Sequence, residues 1–384
     1  MPNEAYSRLL QACRTTTNPG AYIKSWRAGR PDGRVIGFFP TYVPTEIIIA
    51  AGALPVGIWG GSVAVSGANA YIQQFTCSIV RSATEYALKG TFDVLDGALF
   101  PPICDSVKLV SSIWKLNFSE RFLVDMVNLP ERLDSEASVT YLVAELRRVA
   151  GVLSERLGRP ITDDALRSAI ALCNRVRSVQ EGFYRWRQSA QGAQAALADV
   201  STIIKAATVM DPEEYAPMLE AFLASQDGAS GNAGNAPGVP VVVTGLSCQL
   251  PHVDFLRLFE SSGLRVVNDD LFFGMRACGQ VAVDSDPFLA IARGFVDSAP
   301  MATRYHSGKS RHELLLDQLS VGHGKGVVFL VPKFCEPEWF DLRYLKHELE
   351  KRKIPNIMID FEEDPGMTGP AQTRLEAFAE TIAR

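Results

Sequence analysis

Cys335 stands where an apolar run, Gly326-Val-Val-Phe-Leu-Val-Pro332, gives way to Lys-Phe-Cys-Glu-Pro and then to a helical pattern ending near Lys353. The run reads as a buried strand and Glu-Pro as a helix start, which puts the thiol on a strand-to-helix loop. Cys104, in Pro101-Pro-Ile-Cys-Asp-Ser106, and Cys77, just before a helical pattern from Ser78, occupy comparable places. Peptide dipoles and unpaired N–H groups at helix starts favour a thiolate. Thiolates are the ligands of soft metals and iron–sulfur clusters, so one reading of the three is a soft-metal site closed across two domains. The other reading is three ordinary buried cysteines, since free cysteine is among the most buried residue types and the short Cys-x-x-Cys spacing of zinc motifs is missing. Cys248, in Thr244-Gly-Leu-Ser-Cys-Gln249, also follows a strand and is a rival. Cys278 falls in a loop pattern, and Cys13 and Cys173 fall in helical ones. Spacing does not rank the loop cysteines further.

The elements that must position these thiols alternate between strand and helix. Residues 34–39, 55–59 and 94–100 read as strands, separated by helical patterns at about 78–89 and 105–114. From about 136 to 224 long stretches carry apolar residues at helical spacing and no convincing strand. A run of small polar residues, 226–238, reads as an exposed flexible loop. A second alternating pattern follows, with strands at 240–244, 264–268, 327–331 and 356–360. Its helices are expected near 252–261, 286–295, 309–321, 337–353 and 368–383. This spacing argues for parallel βαβ units: an α/β chain of two Rossmann-like parallel-sheet domains joined by a helical segment. The boundaries expected are a helical extension over 1–33, a first α/β domain over 34–135, the helical segment and loop over 136–238, and a second α/β domain over 239–384.

Composition narrows the function classes. The chain has 384 residues, a length that suggests more than one core, and 47% apolar content, ordinary for a globular protein. A net charge of -5 gives no basic footprint, which argues against a nucleic-acid partner. The longest apolar stretch, 47–59, is interrupted by Gly52, Pro55 and Gly57 and is too short to span a bilayer. The start, Met-Pro-Asn-Glu-Ala-Tyr-Ser-Arg, has neither a basic nor an apolar leader region, so a cytoplasmic location is expected. Seven cysteines in that reducing compartment are expected to be free, metal-bound or catalytic rather than paired. His306 and His312, in the basic run 304–312, read as part of a solvated loop, the alternative being a contact to a ligand phosphate, and His252, His323 and His347 as loop or surface residues.

Five motifs, in this order along the chain, resemble one family. They are Arg34-Val-Ile-Gly-Phe-Phe-Pro-Thr-Tyr-Val-Pro-Thr-Glu46 and its continuation to Val56; Lys89-Gly-Thr-Phe-Asp-Val-Leu-Asp-Gly97; Cys-Asp-Ser at 104–106; Lys333-Phe-Cys-Glu-Pro337; and Gly369-Pro-Ala-Gln-Thr-Arg-Leu-Glu-Ala-Phe378. The chain resembles the benzoyl-CoA reductase and 2-hydroxyacyl-CoA dehydratase subunits, most of all the smaller cluster-bearing catalytic subunit of an ATP-dependent aromatic acyl-CoA reductase. The resemblance implies one [4Fe-4S] cluster per chain, with Cys77, Cys104 and Cys335 as its cofactor- and metal-binding residues. It implies a homologous cluster-bearing partner subunit, an ATP-hydrolysing iron–sulfur activator, ferredoxin as the upstream donor and an acyl-CoA substrate. Here Cys77-Ser replaces the family's usual Cys-Pro, and Ile103 precedes Cys104 where a small polar residue is usual. The activity implied is reduction of the aromatic ring of a benzoyl thioester to a cyclic dienoyl-CoA. The alternatives are ketyl-radical dehydration of a 2-hydroxyacyl-CoA and an electron-relay subunit that does not touch substrate. No G-x-x-x-x-G-K-[ST] phosphate loop occurs, so ATP hydrolysis is expected on another subunit. Glu46, in the Pro-Thr-Glu motif, is either a catalytic carboxylate in the crevice or a helix-start carboxylate on the macrodipole. Asp105 is read as the cap of its helix.

Overall fold

The computed structural model describes residues 3–40, 42–226, 236–245, 248–271, 279–282, 286–298, 302–362 and 368–383. Cys278 and most of the loop expected over 226–238 lie outside these residues.

Two helices, α1 (Glu4–Arg14) and α2 (Pro19–Ala28), precede the first sheet. Each begins where an asparagine side chain accepts a peptide N–H: Asn3 from Tyr6 and Asn18 from Ala21. The first sheet holds β1 (Arg34–Phe38), β2 (Ala53–Gly57), β3 (Gly97–Phe100) and β4 (Leu123–Met126). All pairings are parallel, in the order β2-β1-β3-β4. Helices α3 (Thr45–Ala50), α4 (Ser78–Leu88) and α5 (Asp105–Phe118) connect the strands.

The middle of the chain is helical: α6 (Glu136–Leu157), α7 (Asp163–Arg187), α8 (Leu197–Ala206) and α9 (Pro212–Ala224). Ser135 and Thr162 cap the first two, and Gly158 ends α6 in the left-handed conformation. A core of its own joins this region to the amino terminus, where Tyr6, Leu9 and Cys13 of α1 pack with Phe183 and Trp186 of α7 and with Leu219 and Phe222 of α9.

The second sheet repeats the topology of the first. β5 (Val239–Gly245), β6 (Leu264–Asp269), β7 (Gly326–Pro332) and β8 (Asn356–Phe361) run parallel in the order β6-β5-β7-β8. Its helices are α10 (Val253–Leu256), α11 (Leu258–Ser261), α12 (Pro287–Val296), α13 (Arg311–Gly322), α14 (Glu336–Lys351) and α15 (Thr368–Ala383). Every residue of β7 is buried, because helices cover both faces of the sheet. Leu315, Leu342 and Leu345 from α13 and α14 pack on Val242 and Val327. Leu375 and Phe378 of α15 join the larger core that also holds Val241, Val243 and the first sheet.

The α/β architecture of two parallel sheets linked by helices, read from the sequence, is the one observed. Strand β4 escaped that reading: it is four residues long, too short for the alternation that marks a strand. In each sheet the chain reverses its direction of growth next to the central strand, between β1 and β3 and between β5 and β7. At that reversal, crossover helices leave on opposite faces and open a crevice at the carboxyl ends of the strands. β5 and β7 come so close there that a Cβ on Gly245, which has φ of +127°, would lie 2.3 Å from the Leu330 carbonyl oxygen.

Candidate functional site

Three of the thiols singled out from the sequence, Cys104, Cys248 and Cys335, lie just past the carboxyl ends of strands. Cys104 follows β3 and is the N-cap of α5; Cys335 follows β7 and is the N-cap of α14. These are equivalent places in the two sheets. Cys77 is the N-cap of α4, and Cys248 lies just beyond β5. Asp105 therefore lies in the first turn of α5, and the cap position that the sequence suggested for it belongs to Cys104. Phe334, immediately before Cys335, has φ of +63°, a conformation seldom adopted by a bulky side chain. Tyr42, in the loop after β1, has φ of 70°.

Contacts from the second sheet's loops close this crevice. Gln249, beside Cys248, accepts the Gly60 N–H at 2.8 Å. Arg304 donates to the Pro102 carbonyl oxygen at 3.0 Å, two residues before Cys104. Tyr305 pairs with the backbone of Leu133 and Glu131 in the same crossing. Arg132 and Ser307 hold the neighbouring Asp134 carboxyl down to about 2.

Burial dominates the chemistry of the thiols. It pushes Cys77 up to about 12, with a smaller push from a Cys104 thiolate, against the pull of the Val80 and Ile79 peptide groups. Cys104 is raised too, and Cys248 and Cys335 are raised well above an ordinary thiol. A charge on any of Cys77, Cys104 or Cys335 is felt at Cys248. The four therefore share one region, yet each is favoured as a neutral thiol. Among the described residues the other cysteines, Cys13 and Cys173, are also free.

The expectation of a [4Fe-4S] cluster needs correction. Among the described residues, no group of three or more His, Cys, Asp or Glu side chains is placed to hold a metal ion. Cys77, Cys104 and Cys335 stand on three separate helix starts, near enough to influence one another's titration but not gathered into one coordination sphere.

A second candidate lies at the end of β1. Glu46, in the first turn of α3, is 1% exposed. Its carboxylate accepts from Arg177 Nη2 on α7, and Arg177 Nη1 donates to Asn174 Oδ1 at 3.0 Å. This pair forms part of the wall of a cavity of about 410 Å³. Helix α7 presents Cys173, Val176, Arg177 and Gln180 to it, at the three- and four-residue spacing of one helix face. Leu142 and Leu146 of α6 and Ile291 and Phe295 of α12 supply apolar walls. Asn174 holds the facing segment by accepting from the Val281 N–H at 2.9 Å and donating to its carbonyl oxygen at 2.8 Å. The sequence reading reached Glu46 and named neither Arg177 nor Gln180, which stand 131 and 134 positions further along the chain.

The basic run 304–312 also departs from the solvated loop expected. Arg311 opens α13 at 4% exposure and donates to Glu338 at 2.8 Å, Asp341 at 2.6 Å and the Gly245 carbonyl oxygen at 3.1 Å. It thereby ties the start of α14, and with it the Cys335 loop, to the end of β5. His312 stays nearer the surface, with Ser310 and with the Tyr344 hydroxyl 3.0 Å from its Nδ1.

Two four-stranded parallel sheets with crossover helices, linked by a helical segment, define a two-sheet α/β protein. Residues 40–382 match the family described as 2-hydroxyglutaryl-CoA dehydratase, D-component, and the chain belongs to this family of benzoyl-CoA reductase and 2-hydroxyacyl-CoA dehydratase subunits. It is 32% identical to a benzoyl-CoA reductase subunit of Thauera aromatica, over 94% of this chain and 93% of that protein. It is 29% identical to the beta subunit of (R)-2-hydroxyglutaryl-CoA dehydratase from Acidaminococcus fermentans, over 98% and 100% of the two chains. With the (R)-phenyllactyl-CoA dehydratase beta subunit of Clostridium sporogenes it shares 26% identity over 95% and 96%. No helix among the described residues is long and apolar enough to cross a membrane.

Proposed function

We propose that this chain is a subunit of an aromatic acyl-CoA reductase of the benzoyl-CoA reductase type. The observation that carries the reading is the 32% identity to a benzoyl-CoA reductase subunit along nearly the whole of both chains. The dehydratase subunits stand lower, at 26% and 29%. On this reading the chain works with a homologous second subunit on an acyl-CoA substrate. Electrons reach the complex from ferredoxin through an ATP-hydrolysing activator, since this sequence has no phosphate loop of its own. The ring gains electrons and protons in equal number and leaves as a cyclic dienoyl-CoA.

The chain's own contribution is to bind and orient. Glu46 and Arg177 neutralise one another in the wall of the cavity, so the wall can accept an apolar group without presenting it with an uncompensated charge. A second reading is dehydration of a 2-hydroxyacyl-CoA, favoured by the description of the matching family. In a third, the chain relays electrons and the partner holds the substrate. Assay of the anaerobically reconstituted complex, with ATP and reduced ferredoxin, separates these. Dienoyl-CoA formed from benzoyl-CoA supports the reductase, whereas turnover of (R)-2-hydroxyacyl-CoA alone refutes it. Cross-linking of a photoreactive benzoyl-CoA analogue only to the partner favours the relay.

A further inference from the structure

We propose that residues 302–309, which cross from the second sheet's side of the molecule onto the first, form a strap that lifts from the carboxyl edge of the first sheet and so controls access to Cys104. The device works in the same way whichever acyl-CoA reaction the chain serves.

The first argument is how lightly the strap is held. It joins α12 to α13 and meets the segment after β4 in one parallel bridge, Arg132 to Tyr305. Two backbone hydrogen bonds close that bridge, from the Leu133 N–H to the Tyr305 carbonyl oxygen at 2.8 Å and from the Tyr305 N–H to the Glu131 carbonyl oxygen at 2.9 Å. The side chains at the bridge face solvent. Tyr305 is 58% exposed under the Arg132 guanidinium, and the Arg132 side chain is 69% exposed where it pairs with Asp134. An exposed ion pair adds little, and a segment with few buried apolar contacts opens at low cost. The second is the hinge. Lys309 ties the other end of the strap to Asp297, just past α12, so the bridge end is the one left to lift. The third is Arg304. It is half-buried, its Nε has no hydrogen-bond partner among the described residues, and its other nitrogens donate to the Thr303 and Pro102 carbonyl oxygens. Glu131 acts on it from beyond ion-pair distance, and burial lowers its affinity for its proton. Water regained on opening therefore offsets the bonds that opening breaks. Pro102 lies two residues before Cys104, whose charge Arg304 feels, so the inward side of the strap is the side that covers this thiol.

The test is alkylation of the full chain with N-ethylmaleimide, the labelling rate of Cys104 being read by peptide mass spectrometry. Cys13, 0% exposed in a separate core, reports global unfolding. Arg304→Ala should label Cys104 at least about threefold faster and leave Cys13 unchanged. The double variant Arg132→Cys/Tyr305→Cys pins the strap, because paired strands lie about 4.8 Å apart, within the span of a disulfide. Once diamide has formed that disulfide, Cys104 should label at least about threefold more slowly than in Arg132→Cys alone given the same treatment, which controls for oxidation of native thiols. Equal rates for Cys104 in the pinned and unpinned chains overturn the proposal, and so does an unchanged rate in Arg304→Ala. Failure of the double variant to form its disulfide would refute the bridge itself. If Arg304→Ala speeds Cys13 as well, that variant has unfolded, and the pinned chain alone decides: slower labelling supports the strap and equal labelling refutes it.

Discussion

Helix α7 meets the two halves of the molecule through two arginines ten residues apart, and the two ends behave differently. At Arg187 the guanidinium donates to Asp269 at 2.9 Å and to the Val266 carbonyl oxygen at 3.0 Å, while Tyr184 donates to the same carboxylate at 3.1 Å. Gln188 adds a bond to the Val267 carbonyl oxygen. Both charged side chains are almost fully buried, at 2% and 4%. At Arg177 the pair with Glu46 borders empty space, and the arginine side chain is 21% exposed. One end fastens the helix to the second sheet. The other keeps a neutral wall beside a cavity. The same chemical pair thus serves as a fastening where packing is complete and as a lining where it is not.

That contrast breaks most visibly if the fastening is removed. Arg187→Ala should cost about 3–5 kcal/mol in chemical unfolding, because it leaves the Asp269 carboxylate buried without its cation. Arg177→Ala should cost less, about 1–3 kcal/mol, since the space left by the half-buried arginine would let water from the cavity reach Glu46. The two values would converge only if the cavity were closed to solvent. A pH series sharpens the comparison further. Burial raises the Asp269 carboxyl, against Arg187 and Tyr184, which pull it down. The folded state therefore holds that proton more tightly than the unfolded chain, and this group's contribution to stability falls as pH rises from the ordinary aspartate value to the raised one. In urea midpoints measured from about pH 4 upward, Asp269→Asn should remove this decline. The smallest effect is expected at Gln180→Leu, a gain of about 0–1 kcal/mol in unfolding free energy from deleting an unpartnered buried donor.

Much of the architecture was legible because the strands of the second sheet are apolar runs bounded by turns, and β7 is buried along its whole length. The helical segment was equally plain, since α6 and α7 carry cap residues and apolar faces. What the sequence concealed was long-range pairing. Glu46 and Arg177 are 131 positions apart, and Arg311 reads as part of a basic surface until Glu338, Asp341 and the Gly245 carbonyl oxygen are seen around it. The cysteines show the limit from the other side. Their positions at helix starts followed from local pattern, but helix starts on separate loops do not dictate a common ligand sphere, and here they do not form one among the described residues.

Gly245 turns that geometry into a rule for sequence variation. Any side chain at this position would push the end of β5 off β7, and the same displacement would pull the carbonyl oxygen away from Arg311 and separate the segment bearing Cys248 from the one bearing Cys335. In a saturation library, position 245 should accept glycine alone, while Val243, buried two residues earlier on the same strand, should accept other apolar residues of similar volume.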